Sequence, residues 1–162
     1  MTTISASLVK ELRERTGLGL MECKRALEES SGEIELAITN LRKASVLKAE
    51  KKSSRTTLEG KVFVESLEDK NQVILIEINC ETDFVAKDRN FLKFCREVVE
   101  FAKKFLNEKG IDYVLQGTED SRKSLVQKVG ENIVVRKIES LTGKVVNSYV
   151  HTNDRIASAV SL

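Results

Sequence analysis

The sequence predicts an α+β protein: three short helices at the amino terminus, then a domain in which helices pack on an antiparallel sheet. Three observations carry that prediction. Between Ile4 and Leu41, apolar side chains recur at steps of three and four residues and are punctuated by glycines. Beyond Gly60 the pattern changes to short runs rich in β-branched residues, joined by polar turns. All six phenylalanines lie between Phe63 and Phe105, which places the main core in this second region.

In the first helix Ile4, Leu8, Val9 and Leu12 share a face while Lys10, Glu11, Arg13, Glu14 and Arg15 occupy most of the rest, so it should run to about Arg15. Gly17 and Gly19 end it. A second helix places Leu20, Cys23, Ala26 and Leu27 on one face, with Gly32 as its stop. A third begins with Ile34, Ala37, Ile38 and Leu41 at i, i+3, i+4 and i+7. A bundle of about 45 residues lies near the lower size limit for independent folding. We therefore assign residues 1–45 to the bundle and 46–57 to a basic helical tail and flexible linker, rich in lysine and closing on serines and threonines.

Residues 61–65 alternate as a half-exposed strand, Glu68-Asp69-Lys70-Asn71 supplies a turn, and residues 72–79 return as a buried strand. A long helix starts near Asp88, with Phe91, Cys95, Val98, Ala102 and Phe105 in one stripe, widened by Phe94 and Phe101; Gly110 ends it. Another helix covers 119–129 and is broken by Gly130. Strands follow at 132–138, 144–150 and 156–160, the last entered through Thr152-Asn153-Asp154. The core is accordingly divided into an α+β subdomain, 58–131, and a second, β-rich subdomain, 132–162.

Composition narrows the chemistry. With 27 basic and 25 acidic residues the net charge is only +2, so the basic excess of a general nucleic-acid binder is missing. The basic tail has no interleaved aromatic to stack on bases. Cys23, Cys80 and Cys95 form neither a C-x-x-C pair nor a zinc spacing, which suits reduced thiols in a cytoplasmic protein. The first residues lack the pattern of a signal peptide, and no apolar run reaches membrane-spanning length. The single histidine, His151, leaves no basis for a histidine metal cluster or a Ser-His-Asp triad that does not use it. Neither G-x-x-x-x-G-K-[ST] nor G-x-G-x-x-G occurs, so no cofactor, metal or directly bound nucleotide is expected, and no catalytic site.

Attention therefore falls on Asn79-Cys80-Glu81-Thr82-Asp83-Phe84-Val85-Ala86-Lys87-Asp88, the junction between the buried strand and the long helix. An acid, Asp83, stands beside a large ring, Phe84, between two elements stiff enough to aim them. Two readings fit the residues. Phe84 folds back as a core ring while Thr82 or Asp83 caps the helix, or the pair is held out to meet a partner.

Thr82-Asp83-Phe84-Val85-Ala86 after an apolar strand resembles the signature of the bacterial elongation factor Ts family. The amino-terminal segment resembles it more specifically, through Ser7-Leu8-Val9-Lys10-Glu11-Leu12-Arg13-Glu14-Arg15-Thr16-Gly17, Gly19-Leu20-Met21 and Cys23-Lys24-Arg25-Ala26-Leu27. Lys128-Val129-Gly130-Glu131-Asn132-Ile133 and Ser148-Tyr149-Val150-His151, followed by Arg155-Ile156, extend the likeness over nearly the whole chain. Two departures stand out. Thr152-Asn153-Asp154 and Ala157-Ser158-Ala159-Val160 replace the family's glycines and its Gly-Val-Leu-Val-like strand. The sequence also stops at Leu162, where most members continue with helices completing a second core subdomain and often a coiled-coil insertion.

The resemblance implies a ubiquitin-associated-like amino-terminal bundle and guanine-nucleotide exchange on elongation factor Tu. It implies that Thr82, Asp83, Phe84 and Val85 form the element that intrudes between two partner helices and dislodges Mg²⁺ from the GDP site. Arg13, Met21, Val129, Gly130 and His151 fall at secondary contact positions. The same residues admit plainer roles: a solvated charge at Arg13, a gap-filling core methionine at Met21, a helix C-cap at Val129 and Gly130, and an exposed loop imidazole at His151. The alternative function is a non-exchange binding module, a helical adaptor fused to an α+β domain, contacting RNA or ribosomal proteins. Self-association through the late strands is left open.

Overall fold

The structure is a computed structural model that describes residues 4–67 and 71–162. The expected turn at 68–71 therefore falls, apart from Asn71, outside the described residues. Helices and antiparallel strands together make the α+β architecture expected from the sequence.

Helix α1 (Ala6–Thr16) starts where the Ser5 hydroxyl accepts from the Leu8 N–H, and ends at Gly17, whose left-handed φ of 68° lets its N–H reach the Arg13 carbonyl. Helices α2 (Leu20–Glu29) and α3 (Ile34–Lys52) close the bundle around Val9, Leu12, Leu18, Cys23, Ala26, Leu27, Ala37 and Leu41. Leu20 does not join that face; it is exposed. As the first residue of α2 its side chain points back past the helix end and finds no neighbouring turn to cover it.

The basic tail is helical, but it is not followed by a free linker. Helix α3 continues unbroken to Lys52, with Ala49 buried in the main core and the Lys52 ammonium donating to the Gly130 carbonyl. Beyond it, the buried Asn132 amide donates to the carbonyls of Ser53, at 3.2 Å, and Arg55, at 2.9 Å. A small residue at 49 lets the tail approach the second domain while its lysines stay at the rim.

Strands β1 (Glu59–Leu67), β2 (Gln72–Cys80) and β3 (Val134–Thr142) form one antiparallel sheet with β2 in the middle. The register aligns Phe63 with Ile76 and Ile76 with Ile138. Ile74, Ile76, Ile78 and Cys80 thus alternate onto one face, as the period of a strand requires, and are covered by helices. A division at 131/132 does not coincide with a break in the structure: β3 pairs along β2, and Ile133 and Ile138 lie in the same core. The pairing of β3 depends on an edge of β2 that sequence order leaves undecided.

Helices α5 (Arg89–Lys109) and α6 (Ile111–Val129) cover the sheet. From α5 come Phe91, Phe94, Cys95, Val98, Val99, Ala102 and Leu106, and from α6 Val114, Leu125 and Val126. Phe105 departs from the expected stripe. It sits only half buried, 4.6 Å from Phe101 and 5.5 Å from Tyr113 between ring centroids, and Leu106 takes the inner position. Helix α6 begins well before residue 119. Gly117 obscured its first turns in sequence; packing explains that glycine, since an added Cβ would lie 2.4 Å from the Phe101 ring.

Strands β4 (Val146–Val150) and β5 (Ala157–Ser161) make a separate hairpin. Its turn is hooked to β1: the Val62 N–H donates to the Asp154 carbonyl at 2.8 Å, Lys61 Nζ lies 2.6 Å from Asp154 Oδ2, and Arg155 pairs with Glu59 at 3.0 Å. Among the described residues no helix is long and apolar enough to cross a membrane.

One backbone position gives a direct test of this packing. Gly60 has φ 145°, and a Cβ there would stand 2.2 Å from the Ile78 carbonyl oxygen. Gly60→Ala should therefore cost more than about 1 kcal/mol, seen as a lower urea midpoint with an unchanged slope.

Candidate functional site

Strand β2 delivers the chain at Cys80 to a corner made of one helical turn, α4 (Asp83–Ala86). The Thr82 hydroxyl accepts from the Val85 N–H at 3.3 Å, so threonine is the cap of this turn. The Asp88 carboxylate then caps α5, accepting from the N–H groups of Asn90 at 2.7 Å and Phe91 at 3.4 Å. A single turn sorts its side chains sharply. Ala86 is buried and Val85 packs on the main core, while Asp83 and Phe84 point outward. Phe84 is 81% exposed, so the ring does not return to its own core. Neither half of the plain reading holds as stated: Thr82 caps only this short turn while Asp88 caps the long helix, and the ring is not in the core.

Asp83 is exposed beside the ring, with Lys87 Nζ at 2.8 Å from its carboxylate. That hydrogen bond and charge hold its carboxyl below the usual carboxylate range. The corner thus presents an ionised acid next to an uncovered aromatic face at neutral pH.

A second carboxylate secures the corner from behind. Glu131 Oε2 accepts from the N–H groups of Glu81 and Thr82, both at 3.0 Å, and its Oε1 accepts from the Thr82 hydroxyl at 2.6 Å. In the opposite sense the Glu81 carboxylate accepts from the Asn132 N–H at 2.6 Å, with Arg55 3.5 Å away. Sequence reasoning missed both glutamates. Their only signal is position: each stands beside the end of an element, where backbone N–H groups lack a partner. No periodicity links residues 81–82 to 131–132.

The remaining sequence candidates are dispersed. Arg13 is exposed on α1, and Met21 is 72% exposed on α2, so it fills no gap in the bundle. Val129 packs against the main core and Gly130 takes the left-handed C-cap of α6, with φ 80°. Both adjoin the corner through Glu131. His151 is exposed at the end of β4, its Nδ1 3.0 Å from the Tyr149 hydroxyl. A cleft of about 630 Å³ between α3 and the helices α5 and α6 contains none of these residues.

The thiols are interior. Burial, and then the charge of Glu131, pushes the Cys80 thiol up to about 12; burial also raises Cys95, and Cys23 lies inside the bundle. All three should resist a disulfide reagent at pH 8 in the folded protein and react on unfolding. Rapid labelling of any one would contradict this packing. Among the described residues no group of three histidine, cysteine or carboxylate side chains is placed to hold a metal ion.

Fold and site together define a two-part α+β protein that holds an acid and a ring on its surface, at a braced corner, in place of enclosing them in a pocket. Residues 81–162 match the family model described as Elongation factor TS. Elongation factor Ts of Hahella chejuensis is 51% identical over 165 aligned residues, covering the whole of this chain and 57% of that protein. Those of Marinobacter nauticus, at 50% over 163 residues, and Cellvibrio japonicus, at 51% over 165, are matched over 56% of their lengths. The chain belongs to the elongation factor Ts family, factors of protein biosynthesis, and spans a little over half the length of these relatives.

Proposed function

We propose that this chain binds elongation factor Tu in its GDP-bound form and promotes GDP release, acting as a guanine-nucleotide exchange factor with no catalytic site of its own. A nucleotide on a GTPase is held partly through Mg²⁺ bridging its phosphates. An element that shifts the helices positioning the metal's ligands and waters weakens the whole site. Phe84 is the wedge in this proposal, supported on either side by Thr82 and Val85, and Asp83 supplies hydrogen bonds and negative charge where the metal leaves. The observation that carries the reading is the 81% exposure of Phe84 on a turn fastened to rigid elements, in a chain of this family. Arg13 and Met21 on the bundle, Val129 and Gly130 beside the corner, and His151 are the secondary contacts. The site of action is the cytoplasm.

Adding the chain should accelerate release of a fluorescent GDP analogue from elongation factor Tu; an unchanged rate removes the activity. Linkage supplies an independent check. If the chain weakens GDP binding by some factor, GDP must weaken binding of the chain by the same factor. Nucleotide-free elongation factor Tu should therefore co-elute with it and be released by excess GDP. Co-elution insensitive to GDP would leave a binding protein without exchange activity.

A further inference from the structure

We propose that Glu131 is a positioning residue whose carboxylate sets the direction in which Phe84 is presented, an inference that rests on the exchange reading above. Helix α4 has four residues, and a single turn has almost no stability of its own. Its apolar anchors, Val85 and Ala86, both follow the ring, so neither holds the residues that lead into it. That restraint falls to Glu131, which takes two main-chain donors and one hydroxyl on consecutive residues just before the ring. Hydrogen bonds to an ionised acceptor are roughly twice as strong as neutral ones, and three on one carboxylate fix an orientation as well as a distance.

The restraint is reciprocal. Glu81 holds the Asn132 N–H, so the pairs 81–82 and 131–132 grip each other. The Asn132 amide reaches Ser53 and Arg55, and Lys52 reaches Gly130. The corner is thereby braced against the end of α3, the helix that continues from the bundle carrying Arg13 and Met21. Arg55 lies 3.5 Å from the Glu81 carboxylate and adds a cation on that side of the corner. A ring meant to be covered by a partner cannot be oriented by its own core, so a polar brace behind it is the physical substitute.

The test uses Glu131→Ala and Glu131→Gln, with 4-fluorophenylalanine at position 84 as a reporter of the ring. The alanine variant should lower the maximal rate of stimulated GDP release about tenfold, with the half-saturating concentration changed less than threefold, and glutamine, which keeps one acceptor oxygen, should recover part of the loss. Amide exchange should accelerate at least tenfold at Glu81 and Thr82 but not at Ile76 and Ile78 in β2, and the fluorine resonance should shift or broaden. Where Glu131→Ala fails to fold, Glu131→Gln carries the test alone and should show the same pattern more weakly. Unchanged exchange at Glu81 and Thr82, equal acceleration throughout β2, or a full maximal rate despite a loosened corner would each overturn the proposal. If the parent chain does not stimulate release at all, the exchange reading fails; an unchanged fluorine resonance would then overturn the positioning role, and a changed one would sustain it.

Discussion

Phe84→Ala should abolish most of the stimulated GDP release while leaving the fold unaltered. The ring is 81% exposed, and truncating a surface side chain of that kind moves stability by no more than about 0.5 kcal/mol. In the proposed exchange mechanism its interactions are made only when the partner covers it. Full burial of an aromatic side chain contributes ~1.5 to 3 kcal/mol, so losing it from the opened complex should slow release by on the order of ten- to a hundredfold. Stopped-flow release of a fluorescent GDP analogue measures the loss, and a urea titration of the same variant measures the fold. A variant as active as the parent would remove Phe84 from the mechanism, and one that unfolds early would show that the ring serves its own chain.

Phe91→Ala should do the reverse. This ring begins the inner face of α5, just after the corner, and is fully buried among the sheet and helix residues of the main core. Removing such a ring leaves a cavity and costs about 3–5 kcal/mol. In a chain of this size each kcal/mol lowers the melting temperature by roughly 2–4 °C, so a depression of about 6–20 °C is expected. Exchange activity well below the new transition should fall far less than in Phe84→Ala, because the corner keeps its own cap and brace. A melting temperature lowered by less than about 3 °C would contradict the packing described for α5.

These two phenylalanines mark how much can be read from sequence. Phe91 belongs to a helix of 21 residues, and its spacing with Cys95, Val98 and Ala102 assigns it to the inner face before any coordinates are known. Phe84 belongs to a single turn, which is too short for a periodicity to exist. That it lies outside the core follows from Val85 and Ala86 taking the inner side of the turn. The same limit appears at Leu20 and Phe105, which fit the apolar pattern and yet lie outside their cores, one at a helix end and one against the rings of Phe101 and Tyr113.

Glu131 is a different kind of omission. A glutamate following the glycine that ends a helix looks like a solvated charge, and only the return of the chain beside β2 gives it three donors. The tail of α3 likewise carries a composition suited to solvent, yet Ala49 enters the main core and Lys52 reaches the Gly130 carbonyl, docking it on the second domain.

What the sequence determined by itself was the identity of most elements, the glycines that end several helices, the interior faces of the long helices and the likeness to a family. Those are properties of neighbouring residues along the chain, where propensity and period act locally. The tertiary structure alone decided that β3 completes the first sheet, that the corner is gripped by Glu131, and that Phe84 is left uncovered. Each of those depends on which distant surface arrives to satisfy a donor or bury a ring, and a one-dimensional pattern states the need without naming what will meet it.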